Sequence, residues 1–182
     1  VIGVGEAGLR SGVVHRLDND TSGTLLVATK QAGWARLRDA FSEHRIRKQY
    51  LALVHGVPMQ AGSSCRDLTV AQHRPAKVKV EPQGSGGPDA RECSLSWRVV
   101  ETFGDQASLV EVELHTGFLH QVRAMMSDLG HAVIGDCVYG DKLTKLNAGR
   151  QMLHAKSLAF EEINAEAGVP DDMRGLMQQL RE

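Results

Sequence analysis

"HRLDNDTSG", residues 15–23, sits between the apolar pair Val13-Val14 and the apolar run TLLVAT at 24–29. Asn19, Asp20, Thr21, Ser22 and Gly23 are turn formers, and they account for a sharp reversal of the chain. They do not account for His15, Arg16 and Asp18 ahead of the turn. Two residues apart on extended backbone, Arg16 and Asp18 point to the same side. The stretch therefore predicts two short strands, Val13-Val14 and Thr24 to Thr29, joined by a turn that presents a cation and a carboxylate together.

Outward from this turn, Trp34, Leu37 and Phe41 recur at helical spacing and predict an amphipathic helix over 31–43. IRKQYLALVHGV is rich in β-formers and reads as a strand closed by Gly56 and Pro58; its alternation turns Tyr50 inward with Ala52 and Val54. Residues 76–82 and 91–101 read as a hairpin pair around the turn-rich QGSGGPDA. SLVEVELHT alternates, with Leu109, Val112 and Leu114 apolar and a break at Val110. FLHQVRAMMSDLG places Leu119, Val122, Met126 and Leu129 on one helical stripe, and Gly130 stops it. QMLHAKSLAF reads as a late strand, and Asp171 or Asp172 opens a final helix. Many strands with short links and about three helices predict an α+β fold: a mainly antiparallel mixed sheet with a few flanking helices, in a single domain over 1–182.

The composition narrows the function classes. A chain of 182 residues, 42% hydrophobic and 24% charged, suits one globular domain. No apolar run approaches the roughly 20 residues of a membrane span. Cys65, Cys93 and Cys137 are odd in number and lack CxxC spacing, which reads as reduced thiols in a cytoplasmic protein. The net charge is −1, but residues 161–182 hold six acids and two bases, so the rest of the chain has 19 bases and 16 acids. Basic residues gather at Arg36, Arg38, Arg45, Arg47 and Lys48, and again at His73, Arg74, Lys77 and Lys79. The first run is the expected path for a phosphate backbone, the second its alternative, and a solvated charged face explains either equally well.

Other signals fail. Gly3-x-Gly5-x-x-Gly8 has the spacing of a dinucleotide loop without the strand before it, and Gly8 and Gly12 oppose a helix after it. His115 and His120 have no carboxylate at ligand spacing, so no metal is expected there.

Five segments in order carry a resemblance. GVVHRLDNDTSGTLLVATK, KQYLALVHG, TGFLHQVR, GDCVYG and RQMLHAKSLAF resemble the signature blocks of RNA pseudouridine synthases, in the branch that modifies large-subunit ribosomal RNA and some transfer RNA. The resemblance implies isomerisation of uridine in RNA without a cofactor. It implies Asp18 as the catalytic aspartate and Arg123 as its charge partner. Tyr50 then lies against the target base and removes a sugar proton, while Arg16 fills the gap left by a flipped nucleotide or contacts its phosphate. Leu153 packs under the base, and His120 belongs to the substrate-binding set. Phe118 stands where the family has an arginine, and Asn19 where it often has a lysine. The family's Lys-Pro strand and its small N-terminal RNA-binding domain are not found, so the chain is expected to be a catalytic core. Two alternatives are an RNA-binding module without catalysis and a nucleoside hydrolase, although no second carboxylate motif of the kind a hydrolase needs is found.

Overall fold

The computed structural model describes residues 4–5, 11–140, 146 and 148–182; Gly3 and Gly8 of the glycine pattern lie outside them. The elements run β1 (Ser22–Gly23), α1 (Gln31–Ser42), β2 (Arg47–His55), β3 (Ala61–His73), β4 (Ala76–Pro82), β5 (Arg91–Phe103), β6 (Ala107–Leu114), α2 (Gln121–Asp128), β7 (Leu153–Phe160), β8 (Ile163–Glu166) and α3 (Asp171–Arg181). The strands form one sheet in the order β1-β7-β2-β6-β5-β3-β4, with β8 on β7. Every strand pair is antiparallel except β1 with β7. This is the α+β architecture expected from the sequence.

The sheet is covered on both faces, and β6 shows why. Val110, Val112 and Leu114 pack with Tyr50, Ala52 and Val54 of β2 and Val122, Met125 and Met126 of α2. Ala107 and Leu109 face the other way, with Leu51, Leu53, and Met173 and Leu176 of α3. Val110 is therefore in phase with the site face, and Leu109 is the residue on the opposite side. A third cluster, Leu37 and Ala40 with Leu158 and Phe160, docks α1.

Three expectations change. TLLVAT does not form a strand: it makes a single bridge from Val27 to Val13, with Leu25 and Val27 exposed. The ladder instead takes Ser22 and Gly23, which pair in parallel with His154 and Ala155. Residues 76–82 and 91–101 do not pair with each other, because β3 lies between them and pairs with both. β3 escapes the hydrophobic pattern since it is mostly Ser, Arg, Asp, Thr, Gln and His, with Leu68 fully buried. QGSGGPDA therefore crosses the end of a strand instead of closing a tight hairpin.

Gly23 shows why the opening stretch ends as it does. Its φ is +120°, and a Cβ there would lie 2.2 Å from the carbonyl oxygen of Ala155. That region is nearly closed to other residues. Gly23→Ala is expected to cost about 1–3 kcal/mol or more and to loosen β1 from β7. A thermal melt within error of the wild type would contradict this close approach.

Candidate active site

The turn at 18–21 is closed by the Thr21 amide donating to the Asp18 carbonyl at 3.1 Å. Asp20 adopts φ 67°, a conformation that Asp and Asn tolerate better than most residues. The turn is pinned from behind by the residues that lead into β7. The buried Gln151 amide donates to the Asn19 carbonyl at 3.0 Å and to Thr21 Oγ1 at 2.8 Å. Arg150 donates to the Asp20 carbonyl at 2.9 Å while its Nε meets Asp172 at 2.6 Å. A surface turn would not need such backing. The backbone beside Asp18 is held by side chains from the far end of the chain.

α2 delivers the guanidinium. Its first turn has no side-chain cap, and His120 enters it at φ 54°. The Gln121 side chain ties down the approach: its Oε1 accepts the Phe118 amide at 3.1 Å, and its Nε2 donates to the Ser94 carbonyl at 3.1 Å. Arg123 is thereby aimed at two carboxylates. Nη1 lies 3.3 Å from Asp18 Oδ2, while Nε and Nη2 make a fork to Asp136 at 2.6 and 2.9 Å. The guanidinium also sits over the ring of Tyr139, 5.3 Å from its centre.

The exposures rank these groups. The Asp136 side chain is fully buried, that of Arg123 is 5% exposed and that of Asp18 17%. Burial alone would push the Asp136 carboxyl up, but the Arg123 guanidinium and the Tyr139 and Val138 amides hold it below the usual carboxylate range. Asp136 is thus a fixed anion that positions Arg123, leaving one edge of the guanidinium for Asp18. Sequence reading had GDCVYG as a block but assigned no role to Asp136 or Tyr139 within it. Tyr139 accepts the Val78 amide at 2.7 Å and bonds His120 Nδ1 at 3.0 Å.

The residues singled out from the sequence converge. Arg16, Asp18, Tyr50, His120 and Leu153 line one pocket of about 70 Å³, with Arg123 behind Asp18. Burial, and then the Asp18 charge, push the Tyr50 phenol up to about 12, so it stays protonated at neutral pH. A base role for Tyr50 therefore requires it to pass on its own proton. His120 titrates below its ordinary value because of burial, against the pull of Asp18.

The basic run is mostly paired with carboxylates, which falls within its charged-face reading. Arg47 is forked onto Glu113 at 3.1 Å, Arg45 meets Glu43 at 2.6 Å, and Arg36 pairs with Glu161 and Glu162. These arginines are matched by carboxylates brought in from α1's end, β6 and the turn after β7. Only Lys48 of that run turns into the protein beside Tyr50. His115 bonds Ser96 Oγ at 3.1 Å, so His115 and His120 serve separate hydrogen bonds. Among the described residues no helix is long and apolar enough to cross a membrane.

A family profile described as RNA pseudouridylate synthase matches residues 5–128. The chain is 36% identical to an uncharacterised RNA pseudouridine synthase of Chloroflexus aurantiacus, over 96% of this chain and 55% of that protein. It is 35% identical to ribosomal large subunit pseudouridine synthase D of Zymomonas mobilis, over 94% of this chain and 56% of the relative. The chain thus spans a little over half the length of these curated relatives. Among solved structures, human RNA pseudouridylate synthase domain containing 4 superposes with a TM-score of 0.81 at 22% identity, over 93% of this chain and 75% of that one. Human RNA pseudouridylate synthase domain containing 1 gives 0.74 at 28% identity, over 93% and 79%.

Proposed function

Because the chain belongs to the RNA pseudouridylate synthase family, we propose that it isomerises uridines in structured RNA, ribosomal RNA foremost, with Asp18 as the nucleophile and the target base flipped into the pocket. The observation that carries this reading is a single half-buried carboxylate held against a buried arginine, in a pocket lined by Tyr50 and Leu153.

The chemistry asks for little else. The N1–C1′ bond of uridine breaks, the base turns, and C5 bonds to C1′. The C5 hydrogen leaves to solvent, and N1 gains a proton. Nothing is oxidised and no water is consumed, so neither a redox group nor a hydrolytic base enters the balance. Asp18 attacks and holds the broken glycoside covalently. Arg123 stabilises the carboxylate as it is released again. Arg16, exposed at the pocket rim, occupies the position from which a side chain fills the gap left in the RNA. Leu153 supplies an apolar floor for the turning uracil, and the Tyr50 phenol holds and relays the proton lost during rearrangement.

Tritium release from C5-labelled uridine in prefolded total bacterial RNA tests the proposal, with pseudouridine mapping to locate the site. Release of free uracil in place of pseudouridine would establish the hydrolase alternative. Tyr50→Phe keeps the ring and removes the hydroxyl. It is expected to slow turnover by about 10²–10⁴-fold, the range of a lost acid–base group, with RNA affinity nearly unchanged. A loss confined to affinity would remove Tyr50 from the chemistry.

A further inference from the structure

A second and larger chamber, about 480 Å³, opens from the pocket and shares Arg16, Asp18, Tyr50 and Phe118 with it. Its volume lies within the range of small-ligand sites. The outer wall is Phe41 and His44 from the end of α1, and the inner wall is Lys48, Leu114 and the 117–119 segment. Lys48 stands out. It is 7% exposed, and one of its three donors goes to the Thr116 carbonyl at 2.6 Å. Among the described residues no carboxylate pairs with it. A buried ammonium without a counter-ion is costly, and here burial lowers its pKa to about 8. His15, stacked on Phe41 at 4.6 Å, offers no compensation. Its Nε2 already accepts the Leu26 amide, and burial followed by the Lys48 charge lowers its pKa to about 4.

We propose that this chamber seats the nucleotide adjoining the target uridine, the Lys48 ammonium receiving the phosphate that joins the two and Phe118 packing against the neighbouring base. The inference rests on the isomerase reading of the adjacent pocket. An incoming phosphate supplies the charge that Lys48 lacks, which favours an anion over a neutral acceptor. Phe118 lines both chambers, so it borders the target base on one side and its neighbour on the other; bases in single-stranded RNA are read by such aromatic contacts.

The test compares uridine, diuridylate and diuridylate with a neutral methylphosphonate link, measured by titration against the whole chain. The wild type is expected to bind diuridylate about tenfold or more tightly than the neutral analogue, the scale of a hydrogen bond to a charged group. In Lys48→Met that preference should vanish, and the salt slope for a short oligouridylate should flatten by about 0.7, one phosphate contact. Uridine affinity should not move. A preference that survives in Lys48→Met would place the phosphate on Arg16 and overturn the proposal. Equal binding of the two dinucleotides by the wild type would overturn it without any variant. Tritium release measured alongside separates the two readings. Normal release without the phosphate preference sinks the subsite alone; the preference without release on RNA sinks the isomerase reading alone.

Discussion

Asp18→Asn is expected to fold like the wild type and to lose at least about four orders of magnitude in turnover, the scale seen when a nucleophile is removed from a catalytic set. The fold should survive because the Arg123 charge does not depend on Asp18. Arg123 is forked onto Asp136 by two bonds and touches Asp18 by one at 3.3 Å. An asparagine oxygen can accept that single bond, and no buried charge is left alone. The amide cannot attack C1′, and it cannot hold the broken glycoside. Melting curves together with tritium release from C5-labelled RNA separate the two effects. Activity within tenfold of the wild type would remove Asp18 as nucleophile, and a collapsed melt would make it a structural residue of the turn.

Arg123→Ala is expected to act on both stability and rate. It strands Asp136, whose side chain is fully buried, and breaking such a pair by removing one partner costs about 3–5 kcal/mol. It also takes from Asp18 the one guanidinium paired with it among the described residues, for a further loss of about 10²–10³ in turnover, typical of one electrostatic contact at a reacting centre. The pH dependence carries the diagnostic sign. In the wild type the Asp136 carboxyl is held below its ordinary value. Its stabilisation is therefore present above the unfolded value of about 3.9 and is lost as pH falls through the lower folded one. Without the guanidinium, burial dominates and raises that carboxyl above the unfolded value. The variant then suffers at neutral pH, where Asp136 must be charged, and recovers towards acid. Urea unfolding at about pH 7 and about pH 5 should show the gap between the two proteins narrowing. A constant gap would mean that the cost is lost packing against the Tyr139 ring, with no contribution from the charge.

Both predictions depend on Asp136, a residue whose role only the folded chain displays. Thirteen residues separate it from Arg123, with a helix end and a loop between, so neither helical nor strand periodicity links the pair. The only sequence signal was GDCVYG itself. Gly135 there has φ 78°, and a Cβ would lie 2.0 Å from the Arg150 carbonyl oxygen. That close approach brings the β7 approach, which pins the turn at 18–21, next to the loop carrying Asp136. The basic run is the opposite case. Composition left Arg45 and Arg47 open between a path for phosphates and a charged face, and which carboxylates reach them, Glu113 and Glu161, only the tertiary structure displays.

From sequence alone came the class of the fold and the set of residues that the structure gathers around one pocket. HRLDNDTSG drew attention to Arg16 and Asp18 because a turn needs small and Asx residues but has no use for that pair, and the resemblance to the family's blocks then implied a role for Asp18. β2, α1 and α2 announce themselves because a face that must be buried repeats its apolar residues at the element's own period. The tertiary structure decided what has no period. It inserted the polar strand β3 between two apparent hairpin partners, since a strand flanked on both sides can be stabilised by ladder bonds and one buried Leu68. It replaced TLLVAT with Ser22–Gly23 as the strand on β7, since only a residue without Cβ fits against Ala155. It also set Asp136 behind Arg123 and, among the described residues, left Lys48 without a counter-ion, because burial of charge is fixed by neighbours distant in the chain.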